Sequence, residues 1–451
     1  MMIGKDLLLS QRLACPCYML KYEYKWLTQH LVSSNEKEAM DLLAKESIAG
    51  AEFDPSERDP PPSCHPGTRL EKIQTWAHGP ACNASMLWLN GPAGVGKSAI
   101  MQTISELEAS SPNSILGAIF FFLKVNRRND PRRVFVTPAY QLTIKYPPYH
   151  QHVVDLLTQN PKILQKSMAE QFKQLFVLPF VGQELFGGLH NTALIDLDGL
   201  DECDGEWGQR EIISLIGQMI SQHPTSPLIW LFASRPEPHI RLSMNRLGSS
   251  KYLEFVVPID SDKGCKDVEC YLQDKFQEIR ENYPSSFPSS MQFWPAEIHF
   301  SKISKSANGM FIFASTIIGF VGGSKYANPI SQLRKVLDVI ESTPISGTNP
   351  FAVLDVLYTA ILVEIPHEIL PQTQSILTDL HSDIGITNPT SSSSRPVFAN
   401  SCNYWGLRQA DAHSALHKLH SVLKISELEE ADRVLVIPYH KSFLDYLETP
   451  S

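Results

Sequence analysis

Apolar and polar positions follow a regular order between residues 64 and 240. Helical spacing separates short apolar runs, beginning with residues 68–76 and 97–108. The apolar runs predict buried strands at residues 86–89, 116–123, 192–197 and 228–233. Strands that alternate with helices form a parallel sheet with helices on both faces, so we predict an α/β fold.

The pattern changes after residue 265. Residues 265–365 have mostly helical spacing, with helices predicted at residues 267–278, 310–321 and 330–340. A further helix is predicted at residues 411–423, followed by a strand at residues 433–437. The proline-rich passage 54–62 and the serine-rich passage 387–396 cannot continue a helix or pack a core. We therefore expect an N-terminal helical segment, an α/β core and smaller units after it.

The charge balance argues against two classes of partner. The 39 Lys and Arg residues against 48 Asp and Glu residues give a net charge of -9. That is the wrong sign for a protein that coats nucleic acid or an anionic membrane. A local basic cluster, made of Arg127, Arg128, Arg132 and Arg133, has no interleaved aromatic residues. It indicates a solvated loop or an assembly face, and we expect no nucleic-acid partner.

The sequence predicts neither export nor a membrane span. Lys5, Gln11 and Arg12 interrupt the apolar run at the N-terminus before it reaches the length of a secretion signal. The most apolar stretch, residues 310–321, has about a dozen residues, where a span needs about 20. The 8 cysteines are scattered without a C-x-x-C pair, which is typical of reduced thiols. We expect a cytoplasmic protein.

The strongest motif follows the first predicted strand and opens the second predicted helix. It consists of Gly91, Pro92, Ala93, Gly94, Val95, Gly96, Lys97 and Ser98. This spacing, G-x-x-x-x-G-K-[ST], is that of a phosphate-binding P-loop. Its glycines let backbone N–H groups face an anion, while Lys97 would contact the phosphates and Ser98 would be a Mg²⁺ ligand. We therefore predict a site for ATP or ADP with Mg²⁺.

Acidic residues gather at the end of the third predicted strand. A P-loop needs an acid on a neighbouring strand to hold the metal, and Asp198 takes that place. Asp201 and Glu202 follow, where a carboxylate that activates water would lie. Asp196 lies within the strand, and the pattern gives it no role. After the fourth strand, Arg235 is predicted to sense or stabilise charge on the γ phosphate, although a solvated arginine is the commoner interpretation of such a residue by itself.

Three histidines, His413, His417 and His420, share one face of the helix predicted at residues 411–423. That spacing permits a metal site, but no acidic or cysteine partner lies at a suitable distance. An amphipathic helix is the simpler interpretation.

The order of the motifs resembles the NACHT class of STAND-type P-loop NTPases, most closely the fungal NACHT proteins. The segments that carry this resemblance are residues 64–69, 89–98, 138–142, 198–203 and 233–236. The resemblance implies a P-loop NTPase core followed by a helical domain and a winged-helix-like domain. The predicted domains are an N-terminal helical segment and linker at 1–60, the core at 61–260, the helical domain at 261–365 and the winged-helix-like domain, with its serine-rich insertion, at 366–451.

Two later segments gain a meaning from the resemblance. Residues 307–314 look like the family's helical-domain segment near the nucleotide, although Phe311 replaces the proline common in animal relatives. Residues 440–447 are similar to the winged-helix motif whose histidine contacts the β phosphate of ADP. The resemblance therefore implies that His440 is the latch of the closed state. A surface histidine after a strand is the alternative interpretation.

The resemblance implies a signalling switch that ADP holds closed and ATP opens for homo- or hetero-oligomerisation with other NACHT/STAND proteins. It also implies slow regulatory hydrolysis and a role like that of fungal innate-immunity or heterokaryon-incompatibility proteins. One alternative is a nucleotide-binding scaffold or truncated adaptor without hydrolysis. It is suggested because NACHT/STAND relatives commonly carry repeats after the winged helix, whereas the sequence here stops at Ser451. Another is a P-loop ATPase or kinase that acts on a small substrate.

Overall fold

The computed structural model describes most of the predicted elements. The described residues are 34–51, 67–79, 84–124, 128–183, 192–258, 261–287, 293–323, 328–342, 352–381, 398–425 and 436–448. The two passages predicted not to pack, 54–62 and 387–396, lie outside these residues.

A five-stranded parallel sheet forms the centre of the first half. Its strands are β1 (Met86–Asn90), β2 (Leu116–Phe121), β3 (Ala193–Asp198), β4 (Leu228–Ser234) and β5 (Leu253–Val256). Their order in the sheet is β2-β3-β4-β1-β5, and every pairing is parallel. Strands β1 to β4 confirm the predicted strands and the α/β fold. The sequence pattern missed β5, because this edge strand is largely exposed and carries Glu254 between its apolar residues.

Helices cover both faces of the sheet. They are α1 (34–46), α2 (Gly67–His78), α3 (Lys97–Ser110), α4 (Val136–Lys145), α5 (Pro147–Gln159), α6 (Met168–Phe172), α7 (Glu206–Gln222) and α8 (Pro238–Leu247). Successive residues of a strand enter different hydrophobic clusters: Trp88 belongs to one and Leu89 to the other. Because side chains of a strand alternate between its faces, the two clusters are the two layers between sheet and helices.

The second half is mainly helical. Its elements are α9 (Asp262–Asn282), α10 (Glu297–Ala307), α11 (Phe311–Gly322), α12 (Pro329–Ser342), α13 (Ala352–Val363), α14 (Leu370–His381), α15 (Phe398–Trp405), α16 (Gln409–Leu416) and α17 (Lys441–Glu448), with a short antiparallel pair β6 (Leu423–Lys424) and β7 (Ile437–Pro438). A single hydrophobic cluster extends from Val268 to Phe443. The helices predicted at 267–278, 310–321 and 330–340 are confirmed by α9, α11 and α12.

The helix predicted at residues 411–423 is wrong at its C-terminal end. Helix α16 stops at Leu416, a 3₁₀ turn follows, and Leu423 enters β6. Tertiary contacts override the helical spacing, because Leu423 pairs with Pro438 and the hydroxyl of Thr373 donates to the carbonyl of Ala415 near the helix end. Of the strand predicted at 433–437, residues 433–435 lie outside the described residues.

Two expectations concern the chain as a whole. In the described part, no helix is both long and apolar enough to cross a membrane. Cys203, Cys265 and Cys402 are free thiols, as expected, whereas Cys270 is disulfide-bonded, which differs from the prediction of reduced cysteines.

Candidate functional site

The predicted P-loop connects β1 to α3. Gly94 and Gly96 adopt left-handed conformations, with φ of 71° and 90°. Glycine takes such φ values without steric cost, so the chain curls tightly before Lys97 begins the helix. A curled loop that leads into a helix N-terminus presents N–H groups to an anion. The local geometry is therefore that of a phosphate-binding loop.

The side chain of Lys97 folds back and hydrogen-bonds the start of this loop. Its Nζ donates to the carbonyl oxygens of Gly91 at 2.8 Å and Pro92 at 2.7 Å. Burial lowers the pKa of Lys97 to about 8, although the nearby carboxylates of Asp201 and Asp198 act in the opposite direction. The ammonium group is therefore still mostly protonated at pH 7. Ser98, the predicted metal ligand, follows in the first turn of α3 and is exposed.

The second half of the chain packs directly on the loop. The backbone N–H of Ile312, in the first turn of α11, donates to the carbonyl of Gly94 at 3.3 Å. A Cβ atom on Gly94 would lie only 2.0 Å from Cγ2 of Ile312. Segment 307–314, which the resemblance places near the nucleotide, thus contacts the phosphate-binding loop itself.

The acidic cluster lies at the C-terminal edge of the sheet. Asp198 is the last residue of β3 and is buried, and its register partner on β4 is Ala233. Asp201 lies in the 3₁₀ turn that follows. Its Oδ1 accepts the backbone N–H of Arg235 at 3.0 Å, and its Oδ2 lies 3.4 Å from Nε of Arg235. Adjacent parallel strands therefore bring these predicted site residues together.

Glu202 has a different environment from Asp201. Its Oε2 accepts the backbone N–H of Lys124 at 3.3 Å. Burial, reinforced by the charge of Asp201, raises the pKa of Glu202 to about 7. A carboxyl group with a pKa near neutrality suits proton transfer better than an ordinary glutamate does.

Arg235 also contacts the C-terminal helix. Its Nη1 lies 2.7 Å from Oδ2 of Asp445 on α17, and Nζ of Lys441 lies 3.7 Å from Oδ2 of Asp201. Burial alone would lower the pKa of Arg235, but Asp445 and Asp201 outweigh it and raise the pKa, so the guanidinium is charged. Sequence reasoning missed the roles of Lys441 and Asp445. Both lie in the segment 440–447 that the resemblance singled out, but no spacing rule relates them to Arg235.

His440 lies beside the same charges. Its Nδ1 accepts the backbone N–H of Ser442 at 3.0 Å and lies 2.8 Å from the Ser442 hydroxyl. Burial, together with the positive charges of Arg235 and Lys97, lowers the pKa of His440 to about 3. The ring is therefore neutral at physiological pH and lies within electrostatic range of the P-loop lysine.

Asp196, the acid without a predicted role, lies in the core rather than at the edge of the sheet. It is fully buried, and Oγ of Ser105, in the middle of α3, lies 3.5 Å from its Oδ2. Burial raises the pKa of Asp196 well above its usual value. The carboxyl group is thus packed beneath helix α3, away from the edge of the sheet where the other acids lie.

The predicted metal ligands are compatible with Mg²⁺ of a nucleotide. Among the described residues, no group of three or more His, Cys, Asp or Glu side chains is arranged to hold a metal ion by itself. Mg²⁺ at phosphate sites takes one or two protein ligands and completes its shell with phosphate and water. The exposed hydroxyl of Ser98 and the carboxylate of Asp198 match that requirement in number and chemistry. If bound, Mg²⁺ would supply charge neutralisation for the phosphates.

One family model matches most of the α/β core, but the comparisons with known proteins do not identify a family for the whole chain. The family model described as "Nephrocystin 3, N-terminal" matches residues 63–235, less than half of the 451 residues. A search of the curated proteins finds no match.

Three solved structures illustrate the structural similarity. The Walker-type ATPase of Pyrococcus abyssi is 12% identical, with a TM-score of 0.38, and the match covers 85% of this chain and 96% of that one. Cdc6p from Pyrobaculum aerophilum is 12% identical, with a TM-score of 0.33 and coverage of 88% and 97%. The FIGL-1 AAA domain is 10% identical, with a TM-score of 0.31 and coverage of 68% and 81%. Such low values transfer no function. The parallel sheet and the loop after β1 themselves give the chain a P-loop NTPase core.

Proposed function

We propose that this protein is an ATP/ADP-binding switch of the NACHT/STAND type, in which α17 closes on the nucleotide-binding edge of the core. The observation that carries the proposal is the position of Arg235. Its side chain contacts Asp201 of the core and Asp445 of the C-terminal helix at the same time. One residue at the predicted phosphate site thus also forms an ion pair with α17, the C-terminal helix.

Arg235 can exchange one of these partners for a phosphate. A guanidinium group has five N–H donors in a plane and pairs with phosphate as well as with carboxylate. Asp445 is the easier partner to lose, because its side chain is 36% exposed, whereas that of Asp201 is 5% exposed. A terminal phosphate that attracts Arg235 would therefore weaken the hold on α17.

Lys441 provides a second contact between α17 and the core that a bound phosphate would affect. Its ammonium group lies 3.7 Å from Asp201, so Arg235 and Lys441 share one carboxylate. Moving a two-state equilibrium from 1:99 to 99:1 needs about 5.5 kcal/mol of differential binding. A half-exposed ion pair such as Arg235–Asp445 contributes about 0.2–1 kcal/mol. The junction therefore supplies part of the difference, and the phosphate contacts at the P-loop would supply the rest.

The proposal assigns a role to each remaining predicted residue. Lys97 and the loop bind the phosphates, Ser98 and Asp198 hold Mg²⁺, and His440 contacts the β phosphate of ADP, as the motif resemblance implies. Glu202 accepts the proton of the attacking water during slow regulatory hydrolysis. Asp201 is less suited to that step, because both of its carboxylate oxygens face Arg235.

The remaining expectations belong to the same proposal. The domains are the segments 1–60, 61–260, 261–365 and 366–451, and opening exposes surfaces for oligomerisation in the cytoplasm. The fungal signalling role rests on the motif resemblance alone.

The decisive experiment measures the nucleotide released when the purified protein is denatured. We expect near one ADP per chain from the wild type and little from Lys97→Ala. Lys173→Ala, which changes an exposed lysine, should retain the nucleotide like the wild type. No released nucleotide, together with no ATP binding on addition, would overturn the proposal in favour of a scaffold with a degenerate site.

A further inference from the structure

The imidazole of His440 is hydrogen-bonded to the first turn of α17, the helix that follows it directly. Ser442, in the first turn of α17, donates its backbone N–H to Nδ1 of His440 at 3.0 Å. A ring nitrogen that accepts an N–H cannot carry a hydrogen in the same direction. The neutral ring therefore has its hydrogen on Nε2.

The hydrogen-bond chain continues into the helical region. Because Nδ1 can only accept, the Ser442 hydroxyl at 2.8 Å must donate to it. The Ser442 oxygen then accepts from the hydroxyl of Tyr358, which lies 2.9 Å away on α13. Tyr358 is only 1% exposed and Ser442 only 8%. The acceptor at Nδ1 directs the Ser442 hydrogen toward the ring, so Ser442 can only accept from Tyr358, which also has Thr316 as a hydrogen-bond partner. Neither hydroxyl is in bulk water.

The surroundings of the ring favour a neutral donor. Burial is the largest cost of a positive charge on the ring. The cations Arg235, Lys97 and Lys441 add to that cost, and the carboxylate of Asp201 offsets only part of it. An imidazole with an unprotonated nitrogen toward the site would repel phosphate oxygens. Among the described residues, the hydrogen bonds of the ring are made by Nδ1, which leaves Nε2–H as the group that can donate elsewhere.

We propose that Ser442 and Tyr358 are positioning residues that hold His440 as a neutral imidazole with its hydrogen on Nε2, the tautomer that the phosphate contact assigned to His440 in the proposed function requires. This inference rests on the proposed nucleotide site and adds the residues that prepare it. Since Tyr358 belongs to α13, the helical region sets the hydrogen-bonding state of the histidine that precedes α17. The ligand class is a nucleoside diphosphate or triphosphate, recognised through a phosphate acceptor.

The first test is spectroscopic and needs no nucleotide. In protein labelled with ¹⁵N-histidine, the His440 signals are identified by their loss in His440→Asn. We expect an unprotonated Nδ1 and a protonated Nε2 at pH 7 in the wild type. In Ser442→Ala, the Nδ1 resonance should move toward the position of an imidazole nitrogen without a hydroxyl donor. A ring protonated on Nδ1, or a charged ring, would overturn the inference.

The second test measures ADP affinity by titration calorimetry. Ser442→Ala and Tyr358→Phe each remove one hydroxyl of the chain, and we expect binding weaker by about 5- to 10-fold and about 3-fold, respectively. Ser442→Thr restores the hydroxyl and should recover most of the affinity.

Tyr446→Phe is the matched control for Tyr358→Phe. It removes a hydroxyl that lies 2.8 Å from Thr359, between the same two helices but away from His440. If it weakens ADP binding as much as Tyr358→Phe does, the effect is one of helix packing and the inference is wrong. If the wild type binds ADP and Ser442→Ala binds equally well with an unchanged Nδ1 signal, the inference fails while the proposed function stands. If the wild type binds no nucleotide, the proposed function fails, the assigned phosphate contact fails with it, and the histidine spectrum still decides the tautomer.

Discussion

Arg235 and Asp445 form an ion pair of 2.7 Å although one follows β4 of the core and the other lies on the last described helix. The same arginine holds Asp201 through its backbone and its side chain. A single residue therefore joins the acidic edge of the sheet to the C-terminal helix. The strength of this junction is open to direct measurement.

Asp445→Asn should loosen α17 without disturbing the P-loop. The variant removes the charge that attracts Arg235, and exposed or half-exposed pairs contribute about 0.2–1 kcal/mol. We expect release of a fluorescent ADP to become about 3- to 5-fold faster in a stopped-flow displacement assay. Asp411→Asn is the control, because it removes the partner of Arg408 in an exposed pair. Equal release rates in Asp445→Asn and the wild type would contradict the role of this pair.

His440→Leu should lower ADP retention by about 10-fold, because the apolar side chain cannot donate to phosphate. Retention is measured as nucleotide per chain after extensive dialysis. His440→Gln carries an amide donor and should retain more ADP than the leucine variant. Unchanged retention in His440→Leu would remove this residue from the site.

Glu202 makes stability depend on pH. Its folded pKa is raised from 4.5 to about 7, so the folded state binds its proton more tightly than the unfolded chain does. The resulting stabilisation is fully present below pH 4.5 and is lost as the pH rises through about 7. Glu202→Gln should reduce the fall in the free energy of unfolding between pH 5 and 8, measured by urea denaturation. It should also lower any ATP hydrolysis by at least about 100-fold.

Asp196 predicts a second pH effect at a different place. Its pKa is raised well above 3.8 by burial, so its contribution to stability falls as the pH rises above that value. Asp196→Asn keeps the size of the side chain and removes the ionisable group. We expect the variant to unfold at a higher temperature than the wild type at pH 8 and to bind ADP equally well. Loss of ADP binding would show that the carboxylate serves the site after all.

Gly94→Ala should destabilise the protein even in the absence of nucleotide. The φ of 71° costs an alanine about 1–2 kcal/mol, and its Cβ would overlap Ile312 at 2.0 Å. We expect a melting temperature lower by several degrees in calorimetry. In the double variant with Ile312→Ala, the loss should be smaller than the sum of the two single losses, because the added methyl group gains room. Strict additivity would contradict direct packing between loop and helix.

The sequence was most informative where burial and spacing agree. Strands β1 to β4 are buried and mostly apolar because helices cover both of their faces, with Asp196 of β3 as the internal exception. The P-loop spacing follows from the glycines that its backbone needs. Strand β5 was not predicted, because an exposed strand at the edge of the sheet does not need an uninterrupted apolar sequence. The last predicted helix ended early because Leu423 pairs in β6.

The site was predictable only in part for the same reason. The sequence places Asp198 and Asp201 at the end of β3 and Arg235 directly after β4. Because β3 and β4 are parallel neighbours, the fold brings these residues together. The partners from the second half, Asp445 and Tyr358, have no sequence pattern that relates them to the core. Their positions depend on how α13 and α17 pack, and that packing is a property of the folded chain.

The contact of Ile312 with Gly94 has a consequence for how fast a ligand is exchanged. The loop has no spare volume on this side, so a change in its shape requires α11 to shift as well. We expect that a ligand which reshapes the loop on entry must displace α11 as well, so the packing of this helix influences how long the ligand stays bound. Substitutions at residue 312 would tune that dwell time while leaving the phosphate-binding sequence intact.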